Sequence, residues 1–345
     1  MKKTILASAI AAVSFSGAAM AQGTDTMNVS DLAAKMDSMP SVYGNIQYVV
    51  THSDIDGGPS EVEHADNGST IGIQHDHEIM PGLSGFFKAE LEYDADDKDG
   101  NNGLDAFDEA YIGVNSDSFG KVWIGSDDST YERAIAKIAN FHEVGTGIDG
   151  SYSTGEGDLL QYETPSFGGL TLGAAVQVNG DGDNAEKSYP YQVAAIYTVD
   201  ALEVAFAMDS NDGGTQYSSS DADLNNENTY GVRGTYTMGD FSLTGEYQTR
   251  KDVNDEYGVI GVYTLGANQF SLAYQLTEED SAEDLQSSVV ALQALHNLSD
   301  NMYIYAEGYF YGGDDVYGYD TTGDDVNDTF SDEKSIAAVG AVYYF

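Results

Sequence analysis

Phe241-Ser242-Leu243-Thr244-Gly245-Glu246-Tyr247-Gln248 decides how the chain is read. Phe241, Leu243, Gly245 and Tyr247 fall on one side of an extended strand, and Ser242, Thr244, Glu246 and Gln248 on the other. Successive side chains of a strand point to opposite faces, so this segment has one apolar and one polar face. A helix, with its period of 3.6, would scatter the same residues around its axis. The pattern recurs in Leu202, Val204, Phe206 and Met208, in Phe270, Leu272, Tyr274 and Leu276, and in Leu170, Leu172, Ala174, Val176 and Val178, each alternating with small or polar partners.

Between these runs the connectors alternate in kind. Some are tight, such as Met238-Gly239-Asp240 and Gly266-Ala267-Asn268; others are long and acidic, at 94–105, 180–190, 210–227 and 312–334. Short turns at one end and long loops at the other are the signature of a membrane-spanning barrel. A closed barrel also resolves the hydropathy. Only alternate residues face lipid, so the average stays low while the chain still crosses the bilayer. The expected strands are 42–51, 69–77, 85–93, 106–115, 120–127, 158–164, 170–179, 190–198, 201–209, 228–237, 241–250, 256–265, 269–277, 285–297, 302–311 and 335–345. The fold class is therefore all-β, a transmembrane antiparallel β-barrel of sixteen strands.

Composition narrows function. The 345 residues include 58 Asp and Glu against 13 Lys and Arg, a formal charge of -45, with no Cys. Such a surface repels phosphates, which excludes a nucleic-acid partner. Without Cys there is no disulfide framework, thiolate metal site or cysteine nucleophile. Residues 1–21 read as a signal peptide: Lys2 and Lys3 precede an apolar stretch that ends at Ala19-Met20-Ala21. Residues 22–40 form an N-terminal periplasmic extension, helical in spacing at Val29, Leu32, Ala33 and Met36 or else a tail, and 41–345 form the barrel.

Several local motifs resemble the trimeric general-diffusion porins of Gram-negative outer membranes. Val42-Tyr43-Gly44-Asn45-Ile46 is similar to the family's first strand, and Pro81-Gly82-Leu83-Ser84-Gly85-Phe86-Phe87-Lys88-Ala89-Glu90 to its second turn and third strand. Ala110 to Val114 with Phe119-Gly120-Lys121-Val122-Trp123-Ile124-Gly125, and Gln161 to Pro165 with Phe167 to Leu170, follow in the family's order. Ala337, Val339, Ala341, Tyr343 and Phe345 share one face of a terminal strand, and Tyr343 and Phe345 resemble the signal read by the barrel-assembly machinery.

The resemblance implies an outer-membrane, homotrimeric, water-filled channel for passive diffusion of small hydrophilic solutes and ions, embedded in lipid and lipopolysaccharide. It also implies that the long segment 129–157, with a helical turn over 131–141, folds inward and narrows the pore. Glu132, Glu143, Asp149, Glu156 and Asp158 lie in or beside that loop, against Arg133 and Lys137. The family's arginine ladder falls here on Thr70, Ser126 and Gly157, none of them basic. Alternation points Arg233 and Lys88 inward, Lys88 beside Glu90 and Glu92. Acidic rings favour cations, so the expected pore prefers cations.

Two alternatives remain: a sugar-selective porin, with Tyr303, Tyr305 and Tyr309 facing inward beside Glu307, or a barrel that displays adhesive loops. His75 and His77 share a strand face with Ile71 and Ile73, placing them at the periplasmic rim or a subunit contact rather than on a metal. No window meets the EF-hand spacing, though loose divalent binding to loop acids stays open. No hydrolase elbow, phosphate loop or zinc-protease motif occurs, so the chain is read as no enzyme, with no cofactor and no metal.

Overall fold

Each strand pairs antiparallel with its neighbours, and the last returns to the first. The computed structural model describes residues 39–96, 104–145, 147–148, 150–178, 189–212, 227–280, 285–321 and 327–345. The expected signal peptide and nearly all of the N-terminal extension lie outside them.

The strands are β1 (Ser41–Ile55), β2 (Ser60–Asp66), β3 (Thr70–Met80), β4 (Leu83–Tyr93), β5 (Leu104–Ser116), β6 (Gly120–Ser126), β7 (Leu159–Glu163), β8 (Leu170–Gln177) and β9 (Tyr191–Val199). They continue as β10 (Leu202–Asp209), β11 (Thr229–Met238), β12 (Phe241–Arg250), β13 (Asn254–Leu265), β14 (Asn268–Glu279), β15 (Gln286–Ser299), β16 (Met302–Tyr319) and β17 (Thr329–Tyr344). One short helix, α1 (Thr130–Ala134), lies between β6 and β7 among the described residues.

These seventeen strands occupy sixteen barrel positions, because β2 and β3 follow one another along the same side of β1. The break between them is held by Asp66, whose carboxylate accepts from the backbone N–H groups of Gly68 (2.9 Å) and Ser69 (2.8 Å). Gly68 adopts φ 87, open to glycine at little cost. Closure runs from Asn45 opposite Tyr344 to Ile55 opposite Lys334. At its lower end the Phe345 N–H donates to Gly44 O (3.0 Å) and the Gly44 N–H to Phe345 O (3.2 Å). A closed sheet has no unpaired edge to satisfy in lipid.

The period-two reading holds along the wall. In β12, Thr244, Glu246 and Gln248 are buried toward the lumen while Leu243 faces outward and exposed. In β14, Ser271, Ala273, Gln275 and Thr277 turn inward and Phe270, Leu272 and Tyr274 outward. The short turns carry Gly82, Gly239 and Gly266 at φ 78, 60 and 60.

Two expectations need correction. The segment 312–334 is not one loop: β16 continues to Tyr319 and β17 starts at Thr329, with a bulge between Gly312 and Tyr317. And β2 was not expected. Both belong to a raised part of the barrel, where the Asp56 N–H donates to Glu333 O at 3.1 Å. A strand standing in water on both sides needs no apolar face, so Ser60-Glu61-Val62-Glu63 shows no lipid-facing alternation.

Candidate pore constriction

The chain leaves β6 at Ser126 and returns to β7 at Leu159, and the residues between turn into the barrel. The neck of this loop is closed by the Asp127 N–H on Glu156 O (3.1 Å). Trp123, the chain's one Trp, donates from Nε1 to Asp127 Oδ2 (2.6 Å). The Trp123 ring has the Arg133 guanidinium 4.7 Å and the Lys121 ammonium 4.2 Å from its centroid. Ser129 caps α1 by accepting from the Glu132 N–H at 3.2 Å, the usual service of a serine at a helix start. The helix is shorter than the expected turn over 131–141, because after the Ala136 N–H reaches Glu132 O (3.1 Å) the helical ladder stops and the Lys137 N–H donates to Ile135 O (2.6 Å) instead.

Apolar packing fixes the loop. Tyr131 and Ile135 are fully buried against inward-facing Ala194, Ala205 and Ala207, and a Cβ on Gly231 would approach the Tyr131 hydroxyl to 2.5 Å. Ile138 packs against Ile260, Ala273 and Ala291. Burying each such side chain contributes about 1.5–3 kcal/mol.

Polar anchors supply the partners that the loop backbone needs once water is gone. Gln192 accepts from the Tyr131 N–H (2.9 Å), and Gln248 from the Tyr131 hydroxyl (2.9 Å). Gln275 makes both a bond from the Ile148 N–H (3.1 Å) and one to Ile148 O (2.9 Å). Asp209 accepts from the Thr154 N–H (3.0 Å) and hydroxyl (2.6 Å). Glu307 accepts from the N–H groups of Glu143 (2.8 Å) and Val144 (3.1 Å), from Gln293 Nε2 (2.8 Å) and from the Tyr309 hydroxyl (2.6 Å).

The expected charged residues divide into two sets. Arg233 is 5 % exposed beneath the loop, where it donates to Ala134 O (2.8 Å) and pairs with Glu203 (2.7 Å). Glu143 is also tied down: its carboxylate accepts from the Tyr303 hydroxyl at 3.0 Å, and burial pushes its proton affinity up against that bond. Asp158 stands exposed at the loop's end with φ 56, its carbonyl accepting from the Val178 N–H. Asp149 lies outside the described residues.

The remaining charges gather around the open part of the lumen. Glu132 and Glu156 join Asp128 on the loop, their carboxylates within 4.8 Å of one another. On the wall Glu90, Asp108 and Glu109 form a second group of the same span. Lys88 sits among them, 2.6 Å from Glu109 and 3.7 Å from Glu90, so its charge is compensated on the spot. The two groups feel each other: Glu156 holds its proton more tightly than an ordinary glutamate, through burial first and then the negative charges of Asp128 and Asp108. Lys137 on the loop is pulled the opposite way, first by the loss of surrounding water inside the barrel and then by the charge of Arg233.

Sequence reading found the loop and three of the six clustered acids, Glu90, Glu132 and Glu156, and missed Asp108, Glu109 and Asp128. It also missed the anchors, whose signal was present as Gln, Ala and Gly on inward strand positions. Tyr303, Tyr305 and Tyr309 do face inward, but Tyr305 and Tyr309 are 2 % and 1 % exposed under the loop and present no stacking track. His75 and His77 stack on each other at 5.6 Å on the outer face near the β3–β4 turn.

Comparison with known proteins agrees with this architecture. A family model described as Gram-negative porin matches residues 7–316. A monosaccharide porin of a Halomonas species is 30 % identical over 361 residues, spanning 99 % of this chain and 84 % of that protein. The major outer membrane protein of Halomonas elongata shows the same identity and coverage. Among solved structures, Salmonella typhi OmpF in complex with daunomycin superposes with a TM-score of 0.71 at 16 % identity, over 90 % of this chain and 98 % of that one. An anion-selective porin from Comamonas acidovorans gives 0.69 at 18 % identity, over 89 % and 99 %. At such identities the solved structures speak for the fold alone. Sixteen strand positions, an inward loop and a match across nearly the whole sequence together place this chain in the Gram-negative porin family, as an outer-membrane channel and not an enzyme.

Proposed function

We propose that the channel passes small hydrophilic solutes by diffusion and prefers cations at its constriction. One observation carries this reading: two groups of carboxylates lie beside one another, Asp128, Glu132 and Glu156 on the loop and Glu90, Asp108 and Glu109 on the wall, with Asp128 and Asp108 both acting on Glu156. The wall cation among them, Lys88, is paired, and Arg233 is sequestered. A cation entering this gap loses hydration but gains field from two groups of carboxylates, whereas an anion meets the same field as a barrier. Screening acts less in such a narrow site than on outer loops. Arg133 and Lys137 lower the field on the loop without cancelling it. Reversal potentials across a planar bilayer under a KCl gradient test the reading; a potential of anion-selective sign would refute it.

A second reading, passage of neutral monosaccharides through the same gap, is favoured by the name of the Halomonas relative. The buried tyrosines offer that solute no stacked path, so transport would be diffusive. A monosaccharide that blocks ionic current at millimolar concentration would speak for a binding path instead. A barrel that only displays adhesive loops would conduct little.

Assembly as a homotrimer fits the likeness in fold to the Vibrio cholerae OmpT structure described as a trimer form, with a TM-score of 0.59. Tyr343 on β17 and Phe345 just after it, both exposed, are the residues we assign to recognition by the barrel-assembly machinery.

A further inference from the structure

The break between β2 and β3 leaves a pocket of about 420 Å³ on the lumen side of the wall. Tyr43 and Asn45 of β1, Asn67 in the break, Glu90 and Glu92 of β4 and Asp108 of β5 line it. Its volume lies in the range of pockets that hold small molecules. The floor is fixed in advance: Asn45 Nδ2 donates to Thr70 Oγ1 (3.0 Å), the Thr70 N–H donates back to Asn45 Oδ1 (3.2 Å), and Asn67 Nδ2 reaches Glu143 O on the loop (2.8 Å). The Tyr43 ring lies against Gly72, where a Cβ would stand 2.4 Å from its Cζ, so the ring can settle onto the wall only because that position is glycine.

The lining names the chemistry of the occupant. Glu90, Asp108 and Glu109 bring their carboxylates within 4.8 Å of one another, and among the described residues one ammonium, that of Lys88, pairs with this group. Its short contact goes to Glu109 (2.6 Å), and it stands 3.7 Å from Glu90. The acids that line the pocket, Glu90 and Asp108, therefore keep a surplus of negative charge, which repels anions and draws a cation. A metal ion would answer the charge but leave the ring and the volume unused. Lys88 shows what the wall accepts: its ammonium rests beside two carboxylates, 5.7 Å from the centroid of the Tyr43 ring, whose face favours a cation. An ammonium on a carbon body uses the charge, the ring and the room together.

We propose that this pocket binds small amine-bearing solutes of amino-sugar size on their way through the channel, the ammonium donating to Glu90 and Asp108 and the carbon body lying against Tyr43. This rests on the cation-preferring reading of the same carboxylates and gives that reading a solute class. The test exposes the full-length protein, in a planar bilayer in KCl, to glucosamine at a pH where its amine is protonated, and to glucose as the matched ring without the amine. Millimolar glucosamine is expected to interrupt the wild-type current, and glucose at the same concentration is not. Glu90→Gln with Asp108→Asn is expected to weaken the block several-fold in a channel that still opens. Tyr43→Leu, which keeps every carboxylate, is expected to weaken it too, while Glu78→Gln, an acid removed near the periplasmic end of β3, should leave it at the wild-type level. Equal block by the two sugars, undiminished block in either pocket variant, or as large a loss in Glu78→Gln would overturn the proposal. The reversal potential of the same membranes separates the two readings: an anion-selective wild type refutes the cation preference itself, whereas a cation-selective channel that glucosamine does not interrupt refutes the pocket alone.

Discussion

Glu307→Gln is the perturbation that best isolates what holds the loop in the lumen. The carboxylate of Glu307 is 5 % exposed and accepts from two successive loop N–H groups, those of Glu143 at 2.8 Å and Val144 at 3.1 Å, one on each oxygen. The amide keeps one acceptor and turns the other into a donor facing a donor. Hydrogen bonds to a charged group contribute about 1.5–3 kcal/mol each, and an unsatisfied buried N–H costs about 1–3 kcal/mol. Losing one bond and weakening the other should cost the attachment about 3 kcal/mol, which is on the order of a hundredfold in the detached fraction. Hydrogen exchange at the Glu143 and Val144 amides should accelerate accordingly, and open-channel current noise should rise. Gln248→Ala, which removes the Tyr131 hydroxyl's partner and the donor to Glu256 but touches neither Glu143 nor Val144, should leave those two amides unchanged. If Glu307→Gln folds and exchanges at the wild-type rate there, the carboxylate is not the anchor.

Three further outcomes are expected. Burial and the charges of Asp128 and Asp108 make Glu156 take up its proton above the usual glutamate range, near pH ~4.3. Protonation removes negative charge, so cation preference should begin to fall above that pH on acidification, and Glu156→Gln should remove this early part of the pH profile. Trp123 is 1 % exposed, so its fluorescence should resist acrylamide quenching. Trp123→Phe, which leaves buried Asp127 without its 2.6 Å donor, should loosen the loop neck by about 1.5–3 kcal/mol, read as faster exchange at the Asp127 amide. Gly231→Val should push the Tyr131 and Ile135 side chains off β11 and alter single-channel conductance, since even a Cβ there would lie 2.5 Å from the Tyr131 hydroxyl and 2.8 Å from Ile135.

The barrel was legible because lipid and water impose opposite demands on alternate residues. Leu243 and Thr244 could not exchange places without putting an apolar group in the lumen and a hydroxyl in lipid. Where that constraint lapses, legibility lapses with it. β2 and the upper parts of β16 and β17 stand in water on both sides, and their acids looked like loop.

The constriction loop was legible as a long segment in the right place, but its attachments were not. Gln192, Gln275 and Glu307 read as ordinary inward polar residues, and only the folded loop shows that each completes a backbone hydrogen bond. The inward Ala205 and Ala207, apolar where a water-filled lumen calls for polar groups, were the available hint of something packed above them. Arg233 illustrates the limit of parity: alternation placed it inward correctly, yet the loop lies over it. Asp108 and Glu109 went unweighed because a bulge in the pairing of β4 with β5 breaks simple alternation there.

In this reading the two neighbouring groups of carboxylates set the channel's preference. This is tested most directly by the reversal potential in a KCl gradient of wild type beside a variant carrying Glu90→Gln, Glu132→Gln and Glu156→Gln. Wild type should give a cation-selective potential that moves toward zero or past it in the variant. A wild-type potential of anion sign, or one the three substitutions leave unchanged, would contradict it.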